Sequence, residues 1–389
     1  MKLVDVIYFD AGGGHRAAAT ALKLACEQQR RPFQLRLVHL KEILAPVDIF
    51  RKLLGLDLEE IYNLMLRRGW TLGSAQGLRF MQAVIRLYHG SEVRLLKQWW
   101  LERSGAAPPD MVVSVVPNFN RALYEAWRAV KPGAPYVTIL TDLADYPPAF
   151  WIERQPQYFI CGTERARRQA LEAGHPPERV FRVSGMILHP RFYEPMALDA
   201  ASEREKLGLL PGLPTGLVLF GGYGSSAMET VLERIDRAGL DVQLILIAGK
   251  NDALKRRLEQ RATRIRKHVL GFTTEVPKWM RLADFFIGKP GPGSISEAIH
   301  CRLPVITVCN AWTLPQERYN AEWLKEQGVG IALNSYRKVD EAVRALISGN
   351  LLAPMRDAAG RIRNQAVFEI PGILEQLLSG NQELCSFSG

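Results

Sequence analysis

The chain has 389 residues, 47% hydrophobic and 23% charged, a balance that excludes a disordered or fibrous protein. Single cores stop growing near about 250–300 residues, so two domains are expected. Its 50 basic and 40 acidic residues leave a formal charge of +10, which favours anionic partners: nucleic acid, anionic lipid or a phosphorylated small molecule.

No apolar run approaches the ~20 residues that span a bilayer. The opening MKLVDVIYFD reaches an aspartate too soon for a secretory signal, so a cytoplasmic protein is expected. Five cysteines, none in a CxxC pair, read as buried free thiols rather than disulfides or a zinc site.

The first predicted strand, Leu3–Phe9, runs into Asp10-Ala11-Gly12-Gly13-Gly14-His15 and a helix with Ala18, Ala21, Leu22 and Ala25 on its buried face. Three glycines let the backbone turn sharply and leave room for a ligand beside the helix N-terminus. His15 stands at a strand's carboxyl end, where open α/β sheets bind ligands; a cap of purely structural role is the alternative.

After a strand at Leu35–Leu40, residues 45–103 show no strand and read as helices, with loops at Gly69-Trp70 and Gly73-Ser74. Met81, Val84, Ile85 and Tyr88 form an apolar stripe that Leu95, Leu96, Trp99 and Trp100 extend. Between Arg51 and Arg103, nine basic against five acidic residues give +4. A basic amphipathic segment with paired tryptophans fits a membrane surface, and an insertion packed on its own domain equally.

Strands follow at Met111–Val116, Tyr136–Leu140, Tyr158–Cys161 and Val180–Val183. A proline-rich seam spans 186–215, after which strands recur at Leu217–Phe220, Val242–Ala248, Val269–Gly271, Phe285–Ile287 and Val305–Val308. Such continuous apolar runs suit parallel strands buried on both faces, so the fold class is α/β, doubly wound. The expected domains are 1–190 and 205–364, with a cleft between them. A tail helix from 365, broken at Pro371-Gly372, packs back on the first domain.

The second glycine loop, Phe220-Gly221-Gly222-Tyr223-Gly224-Ser225-Ser226, offers Ser225 or Ser226 as a helix cap. It lacks the full dinucleotide fingerprint. The third, Gly288-Lys289-Pro290-Gly291-Pro292-Gly293-Ser294, enters a helix whose free N–H groups and dipole suit a diphosphate. Glu297, one turn in, is placed either for ribose hydroxyls or for a capping box with Ser294. No Gly-Lys-Ser/Thr ending marks a nucleotide-hydrolysing P-loop, and no Asp-x-Asp metal motif occurs.

DAGGGHRAAA at 10–19, TDLADYPPAFW at 141–151, KPGPGSISEAIHCRLPVI at 289–306 and NAWTLPQERYN at 310–320, taken in this order, resemble glycosyltransferases of GT-B architecture. The resemblance is to enzymes related to monogalactosyldiacylglycerol synthase and the bacterial diacylglycerol glucosyltransferases, and more distantly to the GlcNAc transferase that makes lipid II (glycosyltransferase family 28).

It implies inverting transfer of a hexose from a UDP-sugar to a lipid hydroxyl, diacylglycerol first, without metal or other cofactor. Gly221, Gly222 and Ser225 would approach the phosphates with Lys250 and Asn251 nearby; Gly291, Gly293 and Ser294 form the diphosphate turn. Phe272 would read uracil through its backbone, Glu297 the ribose, and Gln316 and Glu317 the sugar. On the acceptor side Gly12, Gly13 and Gly14 form the loop, His15 is the candidate base, and Asp142 orients the acceptor or the base. Arg86, Arg94, Lys97, Trp99 and Trp100 would dock the enzyme peripherally on anionic lipid at the cytoplasmic face.

The sequence departs from these relatives where Tyr146-Pro147-Pro148 replaces a histidine and GGYGSS a glutamate-rich loop, so neither the acceptor nor the sugar is named. A UDP-sugar 2-epimerase and a transferase to a soluble or polyprenyl-linked acceptor are the alternatives. Nucleic acid is not an expected partner, since no recognition motif is present.

Overall fold

The structure is a computed structural model that describes residues 1–10, 13–47, 74–102 and 108–380. Gly12, residues 48–73 and the final residues 381–389 lie outside the described residues. The described chain divides into two compact units, one of 1–190 joined by 364–380 and the other of 191–363.

The first unit runs β1 (Lys2–Tyr8), α1 (Gly14–Gln28), β2 (Phe33–His39), α2 (Leu40–Leu44), α3 (Ser74–Glu102), β3 (Met111–Ser114), α4 (Asn120–Val130), β4 (Tyr136–Ile139), β5 (Tyr158–Cys161), α5 (Glu164–Glu172) and β6 (Val180–Arg182). Its sheet is parallel throughout, in the order β2-β1-β3-β4-β5-β6. Side-chain alternation explains why its strands are apolar on both faces. Val4, Val6, Met111 and Val113 pack towards α1, whereas Ile7 and Val112 pack towards α2, α3 and α4.

On that second face α3 corrects the membrane reading of its tryptophans. Trp100 is fully buried, packs 5.4 Å from Trp127 and donates its indole N–H to the Asp5 carboxylate at 3.0 Å. Trp99 is half-buried, edge-on to Trp100 and covered by the Arg36 guanidinium at 5.3 Å. Arg36 also forks onto Asp5 at 2.7 and 2.9 Å. Burial still raises the Asp5 pKa, against the lowering effect of Arg36 and Trp100. The tryptophans thus fasten the helix to its own sheet. Arg86, Arg94 and Lys97 remain exposed, beside the exposed Leu87 and Leu101.

The second unit comprises α6 (Ala200–Lys206), β7 (Thr215–Leu219), α7 (Ala227–Arg237), β8 (Gln243–Ile247), α8 (Asp252–Gln260), β9 (Lys267–Leu270), α9 (Val276–Arg281), β10 (Phe285–Gly288), α10 (Pro292–His300), β11 (Val305–Val308), α11 (Pro315–Glu326), β12 (Gly330–Leu333), α12 (Val339–Ile347) and α13 (Leu352–Arg361). Its parallel order, β12-β11-β10-β7-β8-β9, is the 3-2-1-4-5-6 order of doubly wound sheets. The short edge strand β12 was not among the expected strands; Gly-Ile-Ala-Leu is too brief and too weakly β-branched to stand out.

Helix α14 (Ala366–Ser379) belongs to the first unit and packs on α1 through Ile370 and Leu374, with Glu375 on Arg31 at 2.7 Å. It continues through Pro371, where a break was expected. A proline inside a helix costs about 3 kcal/mol, and burial of Val367, Ile370, Pro371 and Leu374 offsets it. No described helix is long and apolar enough to cross a membrane.

Candidate active site

In the first unit the chain leaves β1 for β2 and returns to β3 on the other side of β1, so the strand ends open a switch point there. Gly13 caps α1 with φ +80°, a left-handed conformation that glycine adopts without a Cβ clash. Gly14 begins the helix, and His15 follows, half-buried.

Residues that follow β3 and β4 surround the His15 ring. Its Nδ1 lies 3.0 Å from the Thr141 hydroxyl, its second partner is the Val115 backbone, and the Trp151 ring stands at 5.9 Å. Burial pushes the imidazole down to about 4, with the Val115 hydrogen bond offsetting part of the shift. The ring is therefore neutral at neutral pH, which leaves it able to accept a proton.

Asp142 is buried and accepts the Trp151 indole N–H at 2.9 Å, so it positions the aromatic wall beside His15. The same loop is fixed by Asp145, whose carboxylate accepts the backbone N–H groups of Ala149 (3.0 Å) and Trp151 (2.6 Å). Thr141 and Trp151 thus join the site. Sequence reasoning had them inside a quoted motif without a role.

In the second unit the chain leaves β7 for β8 and β9 and comes back to β10, so the loops after β7 and β10 flank the switch point. The Gly221–Ser226 loop rests on the turn after β8. Lys250 N–H donates to the Gly222 carbonyl at 2.8 Å. Gly249, at φ +64°, leaves no room for a side chain, since a Cβ would lie 2.4 Å from that same carbonyl. Ser225 accepts the Ala227 N–H at 3.2 Å; Ser226 makes no side-chain cap bond. Asn251 spends its carbonyl oxygen capping α8 through Leu254 N–H at 3.0 Å. Lys250 lies 4.9 Å over the exposed Phe272 ring.

The third loop overturns the capping-box alternative. Gly291, not Ser294, is the N-cap of α10 and Pro292 its first residue, so Glu297 is not paired across a cap. Gly293 is exposed and Ser294 half-buried in the first turn. The Glu297 carboxyl forms no hydrogen bond or ion pair with the described residues, and burial raises it to about 7.

Lys289, which the sequence reading quoted but did not select, links these parts. Its Nζ faces the Glu317 carboxylate at 3.5 Å, and its side chain passes beside Gly221 and Gly291. Glu317 is buried and Gln316 half-buried at the start of α11. From the same helix the buried Asn320 donates to the Pro290 carbonyl at 2.7 Å and holds the turn. A lysine directly after a strand and before Pro-Gly-Pro-Gly was the available signal. Its ion-pair partner, 28 residues on, was not visible.

With these loops in place, the chain compares closely with known transferases. The profile of the glycosyltransferase family 28 C-terminal domain matches residues 217–376. Residues 217–376 thus carry a glycosyltransferase family 28 C-terminal domain. The chain is 28% identical over 348 residues to the probable monogalactosyldiacylglycerol synthase 2, chloroplastic, of Oryza sativa subsp. japonica, covering 85% of this chain and 70% of the relative.

Among solved structures this glycosyltransferase resembles S. aureus MnaA, from its UDP co-structure, with TM-score 0.64 at 15% identity and full coverage of both chains. It also resembles Acinetobacter baumannii MurG, with TM-score 0.60 at 13% identity, over 97% of this chain and 100% of that one. Those identities speak to the fold: two Rossmann-like units of GT-B type. By class the enzyme is a UDP-sugar-dependent hexosyltransferase.

Proposed function

We propose that this glycosyltransferase moves a hexose from a UDP-sugar to the hydroxyl of a membrane lipid, diacylglycerol first, with inversion at the anomeric carbon. The observation that carries the reading is the third loop. An uncapped helix start at Gly291–Ser294 and an unpartnered carboxyl at Glu297, one turn in, lie within the stretch that matches the family profile. The helix N-terminus binds the diphosphate and stabilises it as it leaves, which asks for no metal. Glu297 takes the ribose, the Phe272 backbone the uracil, and Gln316 and Glu317 the sugar, with Glu317 held in place by Lys289.

In the first unit His15 accepts the proton of the attacking hydroxyl, which replaces Thr141 on Nδ1. The names of the chloroplast relatives support a diacylglycerol-type acceptor. Peripheral docking on an anionic cytoplasmic membrane face is proposed for the exposed side of α3, where Leu87 and Leu101 accompany Arg86, Arg94 and Lys97. Each basic residue near such a surface is worth about 1 kcal/mol.

A 2-epimerase has the same fold, and the family profile supports transfer instead. The test presents UDP-galactose, UDP-glucose, UDP-GlcNAc and UDP-glucuronate to the enzyme with diacylglycerol vesicles, products being read by mass spectrometry. A glycosyl-diacylglycerol formed from one donor is the expected result. An epimerised UDP-sugar, or UDP release indifferent to lipid, overturns the proposal.

A further inference from the structure

A cavity of about 380 Å³ lies in the first unit between α3 and α4, lined by Gln82, Arg86, His89 and Glu92 of the one, and by Asn118, Arg121 and Ala122 beside the other. Ala149 and Glu153 also line it. This is within the size range of small-molecule sites.

Glu92 is its most telling residue. The side chain is 4% exposed and its Oε2 has no hydrogen-bond partner. A buried carboxyl without partners costs stability unless something satisfies it. Burial raises its pKa to about 8, so at neutral pH it is an uncharged acid that both donates and accepts.

The surrounding groups exclude charged ligands. His89 (2.6 Å) and Arg121 (3.1 Å) are both committed to Glu125, and Glu153 faces Arg86 and Arg121 electrostatically. A phosphate would meet the Glu153 carboxyl; a cation would meet Arg86 and Arg121. What remains is a set of planar donors and acceptors, including Asn118, whose Oδ1 is fixed by Gln82 at 3.0 Å. They lie around an apolar patch of Ile85, Ala122 and Ala149. Hydroxyl groups on a carbon ring match both features.

We propose that this cavity binds an uncharged polyhydroxylated group of hexose or polyol type, at a site distinct from the donor loops and from His15. Its source is either a soluble sugar or the headgroup of a neutral glycolipid. The proposal stands apart from the transfer reaction, because it is read from the lining of this cavity, mainly α3 and α4 with Ala149 and Glu153, and not from the donor loops or the His15 ring.

The test titrates the full chain with methyl β-galactoside, methyl β-glucoside, glycerol and inorganic phosphate by calorimetry, without UDP-sugar. At least one polyol should bind saturably and phosphate should neither bind there nor compete. Glu92→Leu should weaken polyol binding by about tenfold or more, as expected when a hydroxyl loses its partner, while Glu92→Gln retains it. UDP affinity and the thermal midpoint report that each variant is folded.

A second arm floats the chain with phosphatidylcholine vesicles containing or lacking galactosyl-diacylglycerol. Enrichment on the glycolipid vesicles that Glu92→Leu abolishes assigns a lipid headgroup, and binding confined to the methyl glycosides assigns a soluble sugar. Absence of saturable binding by every polyol and by the glycolipid vesicles, equal binding by wild type and Glu92→Leu, or displacement by phosphate overturns the site.

Discussion

Glu297 offers the sharpest test of the donor site because its environment already sets a pH scale. Burial raises the carboxyl from 4.5 to about 7. If the carboxylate holds the ribose hydroxyls, only the ionised enzyme binds UDP at full strength, and the apparent Kd scales as 1 + 10^(7 − pH). That factor is about 11 at pH 6 and about 1.1 at pH 8, so the contribution of Glu297 grows about tenfold across the interval.

At pH 8, Glu297→Gln loses a charged hydrogen bond and should weaken UDP by about 1.5–3 kcal/mol. The wild-type advantage should shrink about tenfold at pH 6, where most of the carboxyl is protonated. UDP itself titrates near this range, but the ratio of wild type to Gln variant removes that contribution. Calorimetric titration at pH 6, 7 and 8 reads it directly. A ratio that is flat, or that falls as pH rises, refutes the ribose assignment.

Loss of His15 should lower kcat by about 10²–10⁴, the usual contribution of a positioned base, while UDP affinity stays near wild type; a lowered thermal midpoint with normal turnover of the folded fraction would make His15 a structural cap. Glu92→Gln should reshape stability with pH. The folded pKa of about 8 lies above the unfolded 4.5, so the stabilisation from Glu92 is complete below 4.5 and lost as pH rises through 8. The variant lacks that loss, and its urea-unfolding advantage should widen between pH 5 and 8.5 to at most about 4–5 kcal/mol, an unchanged gap counting against a buried acid. Trp100→Ala should cost about 3–5 kcal/mol in the same assay, far more than any membrane anchor standing free of the core. Replacing Leu87 and Leu101 with Ser, or Arg94 and Lys97 with Glu, should reduce sedimentation with anionic liposomes and leave UDP binding intact; undiminished sedimentation would remove this face from the docking proposal.

Strands that are buried on both faces were legible because nothing but an apolar run can occupy them, as Tyr158–Cys161 and Val305–Val308 illustrate. The tryptophans of α3 were misread for a physical reason. A helix packed on its own sheet and a helix lying on a bilayer share one apolar stripe, and periodicity carries no record of what covers it. The deciding contact is Trp100 with Asp5, 95 residues away. Glu92 was hidden in the same way: in the sequence it is one acid among five in a basic segment, and only the packing of α3 against α4 leaves it buried and unpartnered.

The glycine turns of the two units also show how one backbone device supports two chemistries. Each follows a strand at a switch point and opens a helix, so each offers free N–H groups to a ligand. Their electrostatic settings differ. In the second unit Lys250 and Lys289 stand at the turns, with Lys289 only half-screened by its 3.5 Å pair with Glu317, and the helix start of α10 carries no side-chain cap. Such a rim favours a multiply charged diphosphate. In the first unit the turn ends in a neutral imidazole backed by Trp151 and Thr141, and the cation beside it, Arg16, is paired with Asp10 at 3.2 Å. That rim suits an uncharged hydroxyl about to lose a proton. The division into donor and acceptor halves is therefore supported by the charges that the two turns carry, independently of any relative.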